Sequence, residues 1–202
     1  MRAFAVSGLL AIAAGIAGAQ TVSHPSQARQ IAAAVSPLPE QQQAGARVLG
    51  YGATGKLGVL RPGSNDFTCI ADDGVSKQYH VACYHKSLEP FMARGRELHA
   101  LKKSREAIDS VRLRDVRTGR YAMPAKPAAL YQYFASRDSV DATSGAVKNA
   151  QYLYVVYMPY ASEKTTGITE NPIPGGPWIM YPGKPWAHIM ISPQKTANIA
   201  VK

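Results

Sequence analysis

The sequence predicts an α+β fold: a largely antiparallel sheet, built as a meander of hairpins, with one long helix packed on one of its faces. Three observations lead there. Short runs of β-forming residues recur between Pro-Gly, Asp-Gly and Thr-Gly turn signals. A single long stretch, 86–118, switches to helical period. Strands and helices do not alternate, which argues against a doubly wound parallel sheet.

Taken in order, residues 20–45 are rich in Gln, Ala, Ser and Pro and include Gln41-Gln42-Gln43. That composition reads as a flexible N-terminal arm with at most a short helix over 31–35, so a single domain is expected over 46–202. Four strands follow at Arg47–Tyr51, Leu57–Arg61, 67–72 and 77–84. Pro62-Gly63 suits a type II turn, because Pro presets φ and Gly accepts φ > 0. A tight turn at Asp73-Gly74 would pair Cys69 with Gln78. A Cys69–Cys83 bond therefore requires a longer loop, a bulge, or strands that are not neighbours.

Ser87 is a natural N-cap for the helical stretch, with Glu89 in the first turn and Pro90 early enough to be tolerated. Phe91, Leu98, Leu101, Ile108 and Val111 make its apolar stripe, and Gly119 ends it. Its other faces carry Arg94, Arg96, Lys102, Lys103, Arg105, Arg112 and Arg114. A break is expected near Asp109. Strand character returns at 129–135, 152–160, 178–181 and 187–192, the last two joined by a second Pro-Gly turn at Pro182-Gly183.

Residues 1–19 have the order of a signal peptide: Arg2, a small apolar segment, then Ala17-Gly18-Ala19 as a cleavage site. The apolar run is shorter than the ~20 strongly apolar residues a bilayer span needs, so the mature form is expected to carry no transmembrane anchor. Export to the periplasm or beyond is the expected address. The two cysteines of this 202-residue chain then read as one disulfide, Cys69–Cys83. The rivals for them are free thiols and a metal site drawing on Cys69, Cys83, His85 and His188. Tetrahedral zinc needs three or four such ligands, and no C-x-x-C or H-x-x-x-H pair is present. No cofactor is implied.

The formal charge of +10 admits an anionic partner, such as an acidic envelope polymer, but is also common on solvated surfaces. No nucleic-acid partner is expected. Gly50-Tyr-Gly52-Ala-Thr-Gly55 matches G-x-G-x-x-G, yet Gly58, Pro62 and Gly63 preclude the helix that would cradle a pyrophosphate. These glycines read as hairpin chemistry. Ser192-Pro-Gln-Lys195 lacks the other elements of S-x-x-K enzymes, and no G-x-S-x-G elbow exists. His188, in Trp186-Ala-His188-Ile-Met-Ile191, is the weak candidate for a catalytic base, although such residues more often donate a ring N–H to a carbonyl. Tyr157, Tyr160, Trp178 and Trp186 are candidates to line a ligand cleft beside it, or else belong to the core.

Asn65-Asp-Phe-Thr-Cys69 with Cys83-Tyr84, Gly119-Arg-Tyr-Ala-Met-Pro124, Tyr157-Met-Pro-Tyr160 and Pro182-Gly-Lys-Pro-Trp-Ala-His188-Ile-Met-Ile191 together resemble, in order, an uncharacterised family of exported bacterial proteins. The resemblance runs from about Arg47 to Pro193. It implies a bacterial source and a single domain, marks Cys69, Cys83 and His188 as matched positions, and implies no chemistry. The chain departs from that family at His85, where an aspartate is usual.

The leading expectation is a non-catalytic domain of the cell envelope that binds a small molecule or an envelope partner through the His188 end of the sheet. A metal-assisted hydrolase using His188 with His85, Cys69 and Cys83 is the first alternative. Electrostatic binding of an anionic envelope polymer by the basic helix is the second.

Overall fold

The computed structural model describes residues 24–194 and 196–201, so the leader read over 1–19 lies outside it. Nine strands form: β1 Arg47–Tyr51, β2 Leu57–Arg61, β3 Phe67–Ile70, β4 Gln78–His85, β5 Ala128–Ser136, β6 Val147–Tyr157, β7 Pro177–Met180, β8 His188–Ile191 and β9 Ala197–Ile199. Their order is β2-β1-β3-β4-β5-β6-β8-β7, with β9 pairing the early part of β6. The sheet is mostly antiparallel, as expected, but it is not a simple meander. β3 runs parallel to β1, with Val48 opposite Cys69, so β1 lies between β2 and β3. The Pro62-Gly63 segment is thus a return past β1 instead of a hairpin turn. It passes so close that a Cβ on Gly63 would sit 2.8 Å from the Arg47 nitrogen.

The β1–β2 hairpin does use the glycine run as turn chemistry. Gly55 adopts φ +69°, and the Gly52 N–H donates to the Lys56 carbonyl. No helix follows it. The register question at Asp73-Gly74 is resolved by a longer loop: β3 stops at Ile70, β4 starts at Gln78, and Cys69 faces Cys83 directly. The two form a disulfide, and both are fully buried.

The arm expected over 20–45 is instead packed structure across its described part. Helix α1, Gln27–Val35, starts at Ser26, whose hydroxyl accepts from the Arg29 N–H, and a short helix α2 follows at Glu40–Gln43. Alanine is the best intrinsic helix former, and its small side chain lets a helix approach a sheet closely. Ala34 uses that: it is fully buried, and its carbonyl oxygen lies 3.1 Å from Cys83 Sγ. Val35 and Leu38 join Val48, Cys69 and Cys83 in one apolar cluster.

The helix expected over 86–118 is two helices, α3 Glu89–Ala100 and α4 Arg105–Arg117. The break falls at 101–104, not near Asp109. Lys102 takes φ +53° there, and Ser104 caps α4 by accepting from the Ala107 N–H. The pair is pinned by Asp115, buried in α4, which accepts from Arg94 Nε of α3 at 2.7 Å. Phe91 and Leu88 pack with Tyr84, Leu130, Val155 and Trp186. Cys83 and Tyr84 are adjacent on β4 and therefore point to opposite faces. Helices consequently cover both sides of the sheet, α1 over the disulfide and α3–α4 over the other face. A last short helix, α5, spans Glu163–Thr166.

Candidate functional site

β8, the loop before it and the end of β6 place His188, Trp186 and Tyr157 in the core, not in an open cleft. Their exposures are 7%, 4% and 8%. Phe91 of α3 covers them, its ring 6.0 Å from Trp186 and 5.9 Å from Tyr157. His188 Nδ1 lies 2.8 Å from the Trp186 carbonyl oxygen, so that nitrogen carries the proton and donates. Burial pushes the imidazole pKa below its usual value, only partly offset by this bond, and the ring is neutral at pH 7. Burial likewise pushes the Tyr157 phenol up to about 12. These are packing roles. The other two candidates lie elsewhere: Trp178 is half-buried on edge strand β7, and Tyr160 is exposed in the turn after β6.

The residues weighed for a metal are not brought together. Cys69 and Cys83 are tied to each other beneath α1, which removes both thiolates. His85 sits at the far end of β4, where Nδ1 meets Ser87 Oγ at 2.8 Å and Nε2 lies 3.9 Å from Asp66. Among the described residues, no group of three His, Cys, Asp or Glu is placed to hold a metal ion.

A large cavity opens on the face that carries α3, toward the β1–β4 end of the sheet, with a volume of about 1110 Å³. Its floor comes from the pleat: Ile70, His80 and Ala82 point to one face, and Tyr51 and Leu57 continue it across β1 and β2. One wall is the last turn of α3, with Arg96, His99 and Ala100. The other is the 71–76 loop, which carries Asp72, Asp73 and Val75. His24 closes the edge, stacked on Tyr51 at 4.8 Å between ring centroids. Three of the five histidines therefore line this one cavity.

Most of its charged groups already have partners. Asp72 accepts from Arg137 at 2.9 Å and from the His80 backbone N–H at 2.9 Å. Asp73 accepts from the Val75 and Ser76 N–H groups, which shapes the loop. Arg96 donates to Glu89 and to the Tyr84 hydroxyl, which itself donates to Glu89. His80 stacks on Phe134 at 4.3 Å, bonds Gln132 through Nε2, and is held below its usual pKa by burial. What the cavity presents is an apolar floor, neutral imidazole at His80, and a rigid hydrogen-bonding rim. Leu57 and Val75 stay 37% and 65% exposed at its mouth, and His24 Nδ1 is buried without a partner.

None of these lining residues is marked by local sequence. They come from five separate segments, and the placement of β3 between β1 and β4 helps to collect them. The one available signal was the Asp72-Asp73-Gly74 run, which reads as a turn and is one. A second, smaller hollow of about 440 Å³ lies at the C-terminal end of α4, against Tyr121, Met123, Pro159 and Tyr160. No helix among the described residues is long and apolar enough to cross a membrane. No family model, no curated protein and no solved structure matches this chain.

Proposed function

We propose that this chain is a non-catalytic binding domain of the bacterial cell envelope whose ligand seat is the cavity between the end of α3 and the 71–76 loop. The observation that carries the reading is a preformed hollow with exposed apolar side chains at its mouth. Small-molecule sites are typically concave, mostly apolar and ~300–1,000 Å³. This cavity, at about 1110 Å³, is slightly larger than that range. Its ionic groups are committed to Arg137 and Glu89, so they hold shape and do not deliver protons. The ligand class this favours is an amphipathic, uncharged small molecule whose apolar body lies on Ile70 and Ala82 and whose polar group meets the hydrogen-bonding rim. The envelope address rests on the leader-like start and on a disulfide, which persists in oxidising compartments.

Thermal-shift screening of the full-length protein against lipids, neutral glycans and uncharged metabolites tests this. A binder raises Tm by mass action, and Ala100→Trp, which puts an indole into the mouth from an exposed helix end, abolishes the rise. If no compound in those classes shifts Tm, or if Ala100→Trp binds as well as the parent, the cavity is not a ligand seat.

A further inference from the structure

The second hollow has a different chemistry. Its lining is apolar and aromatic (Val116, Met123, Pro124, Pro159, Tyr121 and Tyr160), and no Asp or Glu contributes. Two Met-Pro pairs, Met123-Pro124 and Met158-Pro159, bring it together from distant parts of the chain. Tyr160 is 57% exposed and takes φ +63°, a conformation a tyrosine adopts only when its surroundings impose it. Here the Tyr160 N–H donates to the Lys184 carbonyl, and the Gly183 N–H donates to the Ala161 carbonyl. The backbone is thereby clamped so that a phenol ring stands in solvent beside the hollow. Tyr121, on its wall, has a buried hydroxyl without a hydrogen-bond partner.

Cations flank these residues in sequence. Arg117 follows Val116, Arg120 follows Gly119, Lys126 follows Ala125, and Lys184 holds Tyr160; all four are exposed. Asp115 is the carboxylate in the last turn of α4. It is committed to Arg94 at 2.7 Å, with Arg120 at the outer limit of 4.0 Å. Glu163 starts the next helix but does not line the hollow.

We infer that this hollow binds an acidic glycan, one sugar ring stacking on Tyr160 and lying against Met123 and Pro159 while its neighbours' carboxylates meet Arg117, Arg120, Lys126 and Lys184. A fixed, solvent-facing aromatic ring offers the flat apolar surface that the C–H face of a pyranose needs. The exposed cations that flank the lining residues select for carboxylate-bearing sugars. The site is separate from the α3 cavity and does not depend on it.

Isothermal titration of the full-length protein at low salt tests this with three probes: an oligogalacturonate, its methyl ester, and a polyglutamate of equal charge. The oligogalacturonate is expected to bind, with the ester and the polyglutamate each weaker by about tenfold or more. Tyr160→Asn keeps a residue that tolerates the left-handed backbone and should weaken binding by about tenfold at unchanged Tm. Arg117→Glu/Lys126→Glu should do the same. Ala100→Trp should leave it intact. Equal binding of polyglutamate would reduce the surface to bare electrostatics, and equal binding of the ester would remove the charge argument. An unaffected Tyr160→Asn, or no oligogalacturonate binding at all, would overturn the assignment.

Discussion

Gly95 and Arg112 show how one missing side chain admits another. The Arg112 guanidinium lies 3.9 Å over the Phe91 ring and donates to the Phe91 carbonyl at 3.1 Å, wedged between α3 and α4. Burial lowers its pKa, and Nε has no partner. It fits because position 95 has no Cβ: one placed there would lie 1.9 Å from Arg112 Nη2. Gly→Ala inside a helix normally stabilises by about 1 kcal/mol. Here overpacking, which costs ~1–3 kcal/mol, should outweigh that gain. Gly95→Ala is expected to lower stability in urea unfolding, and Gly95→Ala/Arg112→Ala to recover part of the loss relative to Arg112→Ala alone. A stabilising Gly95→Ala would show that the guanidinium does not occupy this wedge.

At the scale of elements, α1 is the instructive one. Its Gln30 side chain is 5% exposed and acts as a clasp: Oε1 accepts from the Tyr51 N–H at 2.8 Å, while Nε2 donates to the Tyr51 and Pro25 carbonyls, both at 2.9 Å. It completes β1 at Tyr51, beyond the end of the pairing with β3 at Leu49. Gln30→Ala leaves the Tyr51 groups unsatisfied and should cost ~1–3 kcal/mol, with faster amide exchange across 27–35. Unchanged exchange would mean that α1 is not held by this clasp. The sequence pointed to an arm because Gln and Ala are polar or small, and nothing local shows that Ala34 faces a disulfide. The strands were legible for the opposite reason: Thr54-Gly55, Asp73-Gly74 and Pro182-Gly183 mark their ends with residues whose turn chemistry is local. β9 escaped notice because three residues carry no period, and the parallel β1–β3 pairing because it is decided between segments. The break before Ser104 was hidden by an apolar stripe that continues in phase across it. At the candidate sites, composition singled out the rings but not their depth. Trp186 and His188 went inside, Tyr160 outside, and His24, His80 and His99 converged without any shared motif.

For the whole molecule, two histidines, His188 buried and His80 half-buried, set a pH response. Burial lowers the pKa of both His80 and His188 in the folded state. The unfolded chain therefore takes up protons first as pH falls below the ordinary imidazole value, about 6.5. The stability they allow is fully present above that value and is lost as pH falls toward their folded pKa values. Tm should fall between about pH 7 and pH 5, and His80→Gln/His188→Gln should flatten that slope. A slope unchanged in the double variant would assign it to other groups. Asp66 and Asp141 act in a separate, more acidic window. Lys86 bonding at Asp66 and Ser144 bonding at Asp141 lower those carboxyl pKa values, so their contribution is lost only as pH drops below the usual carboxylate range.

Sealing Cys69 and Cys83 beneath α1 also imposes an order on maturation. An oxidant must reach the sulfurs while that helix is still away, so the first-synthesised helix of the described domain has to dock after the bond has formed. A chain whose helix closed early would trap two reduced thiols out of reach of any catalyst.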